Sequence, residues 1–212
     1  MTPQTYTDWR TARAGCVTAS VFHRVLSAKT PRAWITLLNE IRTEQAEIAE
    51  GIFSELDVPA TRWGKLMEPR ACSLFTMETG IDCEVVPFQR LPGLPIGASP
   101  DRFTSDGGML EAKACYAPDR FGRYLVDGYK SAKPQVQGGL SITNRPHCWF
   151  IFFDPTRPEY DQLGIIKVER DEPYIAALMA RVHTFARHLI DGTEPEGAKF
   201  HDPMSDQPII LF

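Results

Sequence analysis

The chain has 212 residues, with 23 Lys+Arg against 27 Asp+Glu and a net charge of -4. At 43% hydrophobic and 24% charged it has the composition of a folded globular domain, which excludes bulk disorder, and its acidic balance argues against a passive nucleic-acid coat protein. No apolar run reaches the ~20 residues needed to span a bilayer, and MTPQTYTDWR lacks the basic start and apolar stretch of a secretory signal.

The first fifty residues read as helical. Thr18-Ala-Ser20 caps a short helix carrying Val21, Phe22, Val25 and Leu26. Pro31 suits the first turn of a second helix, with Trp34, Leu37, Leu38 and Ile41 at i, i+3, i+4, i+7 spacing. Residues 44–60 are mixed and contain a loop. A third helix lies within 61–79, with Trp63, Met67, Ala71, Leu74 and Phe75 on one face and Gly80 as its stop. Pro69 is read as a mark of that helix's first turn, which would put Glu68 at the boundary.

The period then changes to that of strands, expected at Glu84–Gln89, Leu94–Ser99, Met109–Cys115, His147–Asp154 and Leu163–Val168. Helical pieces at Asp119–Val126 and Ser131–Ile142 separate the third strand from the fourth. The last helix carries Ile175, Leu178, Met179, Val182, Phe185, Ala186, Leu189 and Ile190 in one stripe, opened by Asp171-Glu-Pro173 and closed by Gly192. An apolar tail, Ile209–Phe212, is expected to cover this chain's own core or a neighbouring subunit. This order predicts an α/β (α+β) fold, a central mixed β-sheet flanked by helices. It forms one domain: a helical part at about 1–80, a sheet core with its C-terminal helix at about 81–192, and a tail at 193–212.

Five widely spread cysteines without a C-x-x-C pair disfavour zinc knuckles, a disulfide scaffold or an iron–sulfur cluster, and fit a reducing cytoplasm. The five histidines show no ligand spacing. The chemistry concentrates in Ser99-Pro-Asp101 and Glu111-Ala-Lys113. Glu111 and Lys113 lie two apart on a strand and share a face. Asp101 joins that face only if the hairpin loop has an odd length. A three-residue loop at Asp106–Gly108 would set Asp101 opposite Lys113. Two carboxylates crowded on one face repel, and a hard divalent cation relieves that repulsion. Such a cation stabilises charge on a phosphodiester in hydrolysis, a neighbouring lysine can orient the attacking water, and the Ala112 carbonyl offers a further oxygen.

This P-D-x(9)-E-A-K arrangement resembles the PD-(D/E)xK nuclease signature. Four further segments extend the likeness: Trp9-Arg-x-x-Arg13-x-Gly15-x-Val-Thr18-Ala-Ser20, Trp63-Gly-Lys-x-x-Glu68, Pro134-Gln-Val-Gln137 and Val168-Glu-Arg-Asp171. In order and spacing, from about Trp9 to Tyr174, the chain is similar to the phage lambda exonuclease (YqaJ-like viral recombinase) family. The resemblance implies a restriction-endonuclease-like core and a Mg²⁺-dependent 5′→3′ exonuclease on duplex DNA, releasing 5′-mononucleotides. Mn²⁺ would be able to substitute, and two cations are implied per active site. It further implies a ring-shaped homotrimer, a single-strand annealing protein as partner, and a cytoplasmic setting in a bacterial host with a phage or prophage origin.

Carried over by motif, Asp101, Glu111, the Ala112 carbonyl and Glu68 are the implied metal ligands and Lys113 the catalytic lysine. Gln135 faces the site, with Gln137 as a weaker candidate. Arg13 and Ser20 would hold the 5′-phosphate, with Ser99 and Arg120 as further candidates. The basic residues Lys113, Arg120, Arg123, Lys130 and Lys133 form either a DNA-contacting strip or a solvated helix face. The aromatic run Trp149–Phe153 is read as a buried strand. The rival readings are a structure- or end-specific endonuclease with the same site and a non-catalytic DNA-end-binding adaptor.

Overall fold

The computed structural model describes residues 4–53, 58–117 and 119–197. The apolar run at Ile209–Phe212, most of the predicted tail and part of the 44–60 segment lie outside the described residues.

A capping box opens α1 (Tyr6–Arg13): Thr5 accepts from the backbone of Asp8, whose carboxylate reaches back to Thr5. The chain runs through β1 (Val17–Thr18) into α2 (Phe22–Ser27) and α3 (Pro31–Ala49). Pro31 sits in the first turn of α3, where a missing N–H costs nothing. That helix extends well into the stretch expected to be mixed.

Next comes α4 (Pro59–Thr79), closed by Gly80 in the left-handed conformation. Pro69 lies inside α4 rather than in its first turn, so Glu68 is an interior helical residue and not a boundary one. The apolar stripe behind it, Ala71, Cys72 and Phe75, is buried, and the packing it gains outweighs the ladder bond Pro69 cannot make.

The strands form two mixed sheets instead of a single one. β1, β4 (Ile96–Ala98) and β3 (Gln89–Arg90) make a three-stranded sheet in the order β1-β4-β3. The order in the five-stranded sheet is β2 (Cys83–Glu84), β5 (Arg102–Thr104), β6 (Met109–Ala114), β7 (His147–Phe153) and β8 (Leu163–Glu169). The expected strand Glu84–Gln89 is thus a crossover between sheets. Its ends pair in different sheets, and Pro87 between them has no donor for a ladder.

Parallel pairing of β6 with β7 requires a crossover, supplied by α5 (Arg120–Asp127) and α6 (Lys133–Thr143). The chain ends its described part with α7 (Glu172–Asp191), capped by Asp171, which accepts from Tyr174 N at 3.1 Å.

Three apolar clusters hold these layers. One joins α2, α3, α7 and the small sheet through Phe22, Trp34, Leu38, Leu178, Val182 and Phe185. A second packs α5 and α6 on one face of the large sheet, through Phe121, Val136, Phe150 and Phe152. The third packs α4 on the opposite face, through Phe75, Leu110, Ile151 and Phe153. β7 is therefore buried on both sides, which explains its unbroken aromatic and aliphatic run. At about 1.5–3 kcal/mol per fully buried large side chain, these clusters fix where the β5–β6 hairpin sits.

Candidate active site

The hairpin loop has three residues, as expected, but it is Ser105–Gly107, one position earlier than predicted. Gly107 N donates to Thr104 O at 3.0 Å, and Thr104 N donates to Gly108 O at 3.1 Å. Gly107 takes φ +90°, a conformation a side chain would strain. Asp106 locks the turn. Its carboxylate accepts from Thr104 Oγ1 at 2.6 Å, Gly108 N at 3.3 Å and Trp149 Nε1 at 2.9 Å, and pairs with His147 Nε2 at 2.9 Å.

The resulting register sets Arg102 opposite Leu110 and Phe103 opposite Met109. Continuing it puts Asp101 across from Glu111, not from Lys113. The parity needed for a shared face is met, and the register differs by one pair.

Asp101, Glu111 and Lys113 come together on the α6 side of the sheet. Asp101 Oδ2 accepts from Ala112 N at 2.7 Å. In a strand a residue's carbonyl points to the same side as its own N–H, so the Ala112 carbonyl also faces the gap beyond the end of β5. Glu111 is buried, and its Oε1 accepts from Lys113 Nζ at 2.5 Å and from Gln135 Nε2 at 2.6 Å. Gln135 Oε1 in turn accepts from Lys113 Nζ at 3.0 Å. Gln135 occupies the first turn of α6, whose start Pro134 tolerates. An added side chain at Gly139, one turn on, would press against Met109 of β6, so glycine there lets α6 approach the sheet.

Electrostatics follows from this crowding. Desolvation pushes the Asp101 carboxyl well above its ordinary range, and the charges of Glu111 and then Glu68 push it further. Desolvation works against the Lys113 ammonium, yet the facing charges of Glu111 and Asp101 prevail and hold its pKa above the ordinary lysine value. In the cation-free site Lys113 is therefore held as a cation that donates hydrogen bonds to Glu111 and Gln135.

Glu68 reaches the site's edge from α4, on the other face. Its Oε1 accepts from Arg102 Nη1 at 2.5 Å. Among the described residues no three His, Cys, Asp or Glu side chains converge in a ready metal-binding group.

A cavity of about 250 Å³ adjoins the trio, lined among others by Trp9, Arg13, Ser20, Ser99, Glu111 and Gln135. Trp9 and Arg13 lie one turn apart on α1, with the guanidinium 4.5 Å over the indole ring. Trp9 Nε1 donates to Ser99 Oγ at 2.8 Å, and Ser20 Oγ pairs with Thr18 Oγ1 at 3.0 Å. Arg13 Nε has no hydrogen-bond partner, and its acidic neighbour Glu44 stands 4.0 Å away, closer to Arg10 at 2.6 Å. Burial lowers the Arg13 pKa, with Glu44 opposing the shift. An under-paired, partly buried guanidinium beside a cavity invites an anion.

Two sequence candidates stand elsewhere. Arg120 is exposed and lines a separate groove with Arg123, Tyr124 and Lys130. Gln137 is fully buried and structural: it donates to Glu169 O at 3.0 Å and accepts from Asp171 N at 2.9 Å, tying α6 to the β8–α7 junction. Sequence reasoning named neither Trp9 nor Arg102 as a site residue. The signals were present, since Trp9 precedes Arg13 by one helical turn and Arg102 directly follows Asp101.

The sequence pattern of the YqaJ-like viral recombinase domain matches residues 8–146, a span that includes every residue of this site. Two crystal structures of LHK-Exo are similar to this chain at 26% identity, each covering 87% of this chain and 93% of its own. The one in complex with dAMP gives a TM-score of 0.77, and the one described as an alkaline exonuclease from Laribacter hongkongensis gives 0.76. A phage related exonuclease from Haemophilus somnus 129PT shares the fold, with a TM-score of 0.62 at 13% identity over 83% of this chain and 94% of its own. No curated protein sequence gives a significant match. The pattern spans more than half of the chain, and the chain belongs to the YqaJ-like viral recombinase domain family.

Proposed function

We infer that this chain is a Mg²⁺-dependent exonuclease that degrades one strand of duplex DNA from a 5′-phosphorylated end, 5′→3′, leaving 3′ single strand. Nuclease activity rests on the family and on the likeness to LHK-Exo. The single observation that carries the finer reading is the juxtaposition of the trio with the Arg13 cavity. The under-paired guanidinium of Arg13 and the trio's Glu111, with its partner Gln135, line one and the same cavity.

The donor set fits a hard cation. Asp101 and Glu111 are desolvated, mutually repelling oxygen donors, and the Ala112 carbonyl adds a neutral oxygen. Mg²⁺ held there, with Mn²⁺ as substitute, would supply Lewis-acid stabilisation of charge on the scissile phosphate and acidify water. Glu68 would serve a second such cation.

Lys113, fixed as an ammonium by Glu111 and Gln135, orients the attacking water and faces the growing negative charge. Gln135 holds both partners at once and so sets the angle of each. Arg13, Ser20 and Ser99 bind the terminal phosphate, which counts the cut from the 5′ end and sets polarity. Arg120, Arg123 and Lys130 in their groove would contact the DNA backbone farther out. A ring-shaped homotrimer, a single-strand annealing partner and a cytoplasmic location belong to the same reading, by resemblance. Among the described residues no helix is long and apolar enough to cross a membrane.

A digest of linear against closed-circular duplex, with and without Mg²⁺, tests this. The reading expects Mg²⁺-dependent loss of the linear form and survival of the circle. Nicking of the circle would instead favour an endonuclease, and binding without product release a non-catalytic adaptor.

A further inference from the structure

Arg102 places a guanidinium between Glu68 and the catalytic hairpin. Its Nη1 donates to Glu68 Oε1 at 2.5 Å and also to the carbonyl oxygen of Asp101. Its side chain is 14% exposed and that of Glu68 29%, so the pair is shielded well enough to hold its geometry. Successive strand residues point to opposite faces. Asp101 therefore turns toward Glu111 and α6, while Arg102, opposite Leu110, turns toward α4, from which Glu68 comes. The carboxylate of Glu68 is taken up by the guanidinium, and this keeps it out of the set formed by Asp101 and Glu111.

Charge makes the arrangement self-consistent. With all three carboxylates ionised, Asp101, Glu111 and Glu68 face the cations Lys113 and Arg102, an excess of a single negative charge. One divalent cation overturns that excess, and a second would meet strong repulsion unless DNA phosphates arrived with it. Beside the pair, a cavity of about 310 Å³ is lined by Trp9, Lys65, Glu68, Ser99, Asp101 and Arg102, and it shares Trp9 and Ser99 with the Arg13 cavity. A guanidinium exchanges a carboxylate for a phosphate readily, because its fork matches both.

We propose that Arg102 is a positioning residue that withholds Glu68 from the metal site until DNA binds. The free protein takes one divalent cation at Asp101 and Glu111. A DNA phosphate entering the Arg102 side draws the guanidinium away, and Glu68 is then released to hold a second cation. This rests on the metal reading above, and the test separates the two.

Mn²⁺ is titrated calorimetrically into the DNA-free protein. The expected stoichiometry is about one per chain for the wild type, about two for Arg102→Gln, and about one again for Arg102→Gln/Glu68→Gln. Glu68→Gln alone leaves the wild-type isotherm unchanged, and it carries the test if Arg102→Gln does not fold. Adding a cleavage-resistant phosphorothioate duplex raises the wild type to about two and leaves Glu68→Gln at about one. Two cations on the DNA-free wild type, a lower stoichiometry in Glu68→Gln, or no gain in a folded Arg102→Gln would overturn the proposal. In the first two cases, loss of the remaining binding in Asp101→Asn would leave the metal reading standing. No Mn²⁺ binding to the wild type at all would overturn both.

Discussion

Arg13→Ala separates recognition of the 5′ end from stability, because the two effects have different sizes at this position. In the fold Arg13 is an under-paired cation: its side chain is 22% exposed, its Nε lacks a hydrogen-bond partner, and Glu44 at 4.0 Å is engaged by Arg10. Truncation removes the stacking on Trp9, worth about 0.5–2 kcal/mol, and offsets part of that loss by relieving a charge that burial disfavours. Stability should therefore change by no more than ~1 kcal/mol, a melting shift of a few degrees. In the proposed role substrate recognition loses a charge-assisted bond to phosphate, worth about 1.5–3 kcal/mol, which is roughly a 10–150-fold drop. The assay is kcat/KM on paired duplexes that differ only in a 5′-phosphate or 5′-hydroxyl. The phosphorylated substrate should lose that factor while the hydroxyl substrate changes little. An equal fall on both, or no fall on either, would refute Arg13 as the phosphate anchor.

Further outcomes follow from the same site. Lys113→Ala should lower kcat by about 10²–10⁴-fold while DNA binding by fluorescence anisotropy stays within about threefold, because the role proposed for the lysine is to act on charge that develops only during reaction. The raised pKa of Asp101 means that the fold holds a proton that unfolding releases. Its stability contribution is present below the ordinary 3.8 and is lost as pH rises through the raised value. Melting curves of wild type against Asp101→Asn should diverge in that direction without cation, and Mg²⁺ near pH 8 should stabilise the wild type but not the variant. Parallel curves would contradict the crowding of the carboxylates. Asp106 shows the opposite sign: desolvation opposes its ionisation, but bonds from Thr104, Trp149, Gly108 and His147 hold its pKa down to about 2. Its contribution is full above the ordinary 3.8 and is lost as pH falls through about 2. Asp106→Ala should cost about 1–3 kcal/mol in urea unfolding at neutral pH, with the gap to wild type closing in acid.

Long amphipathic segments were readable from the sequence because burial repeats along them. α7 shows this: Ile175, Leu178, Val182 and Phe185 are buried where the stripe puts them, and Asp171 and Gly192 bound the helix. Most strands of two or three residues were not readable, since no period can be established over so short a run, although β4 lies inside the expected strand Leu94–Ser99. Hence β2 and β3 merged into one expected strand although Pro87 separates them into different sheets.

Within the site, strand alternation was enough to put Glu111 and Lys113 on one face, and loop parity brought Asp101 to it. The register missed by one pair because Gly107 and Gly108 both suit a turn, and only the bonds to Asp106 decide between them. Gln135 and Gln137 look alike in sequence. The first lies in the turn of α6 that faces Glu111, and the second is drawn inward by backbone groups at Glu169 and Asp171, contacts made by parts of the chain more than thirty residues away. Arg102 escaped notice for a similar reason: its importance comes from a partner on α4, distant in sequence.

In the proposed function Asp101, Glu111 and Lys113 together cut a phosphodiester counted from a 5′-phosphate. This is tested most directly by a time course on a blunt linear duplex, labelled at the 5′ end of one sample and at the 3′ end of another, with wild type and Asp101→Asn in Mg²⁺. The account predicts that wild type releases the 5′ label first, as mononucleotide, and that the variant releases neither. Early release of the 3′ label, or wild-type rates in Asp101→Asn, would contradict it.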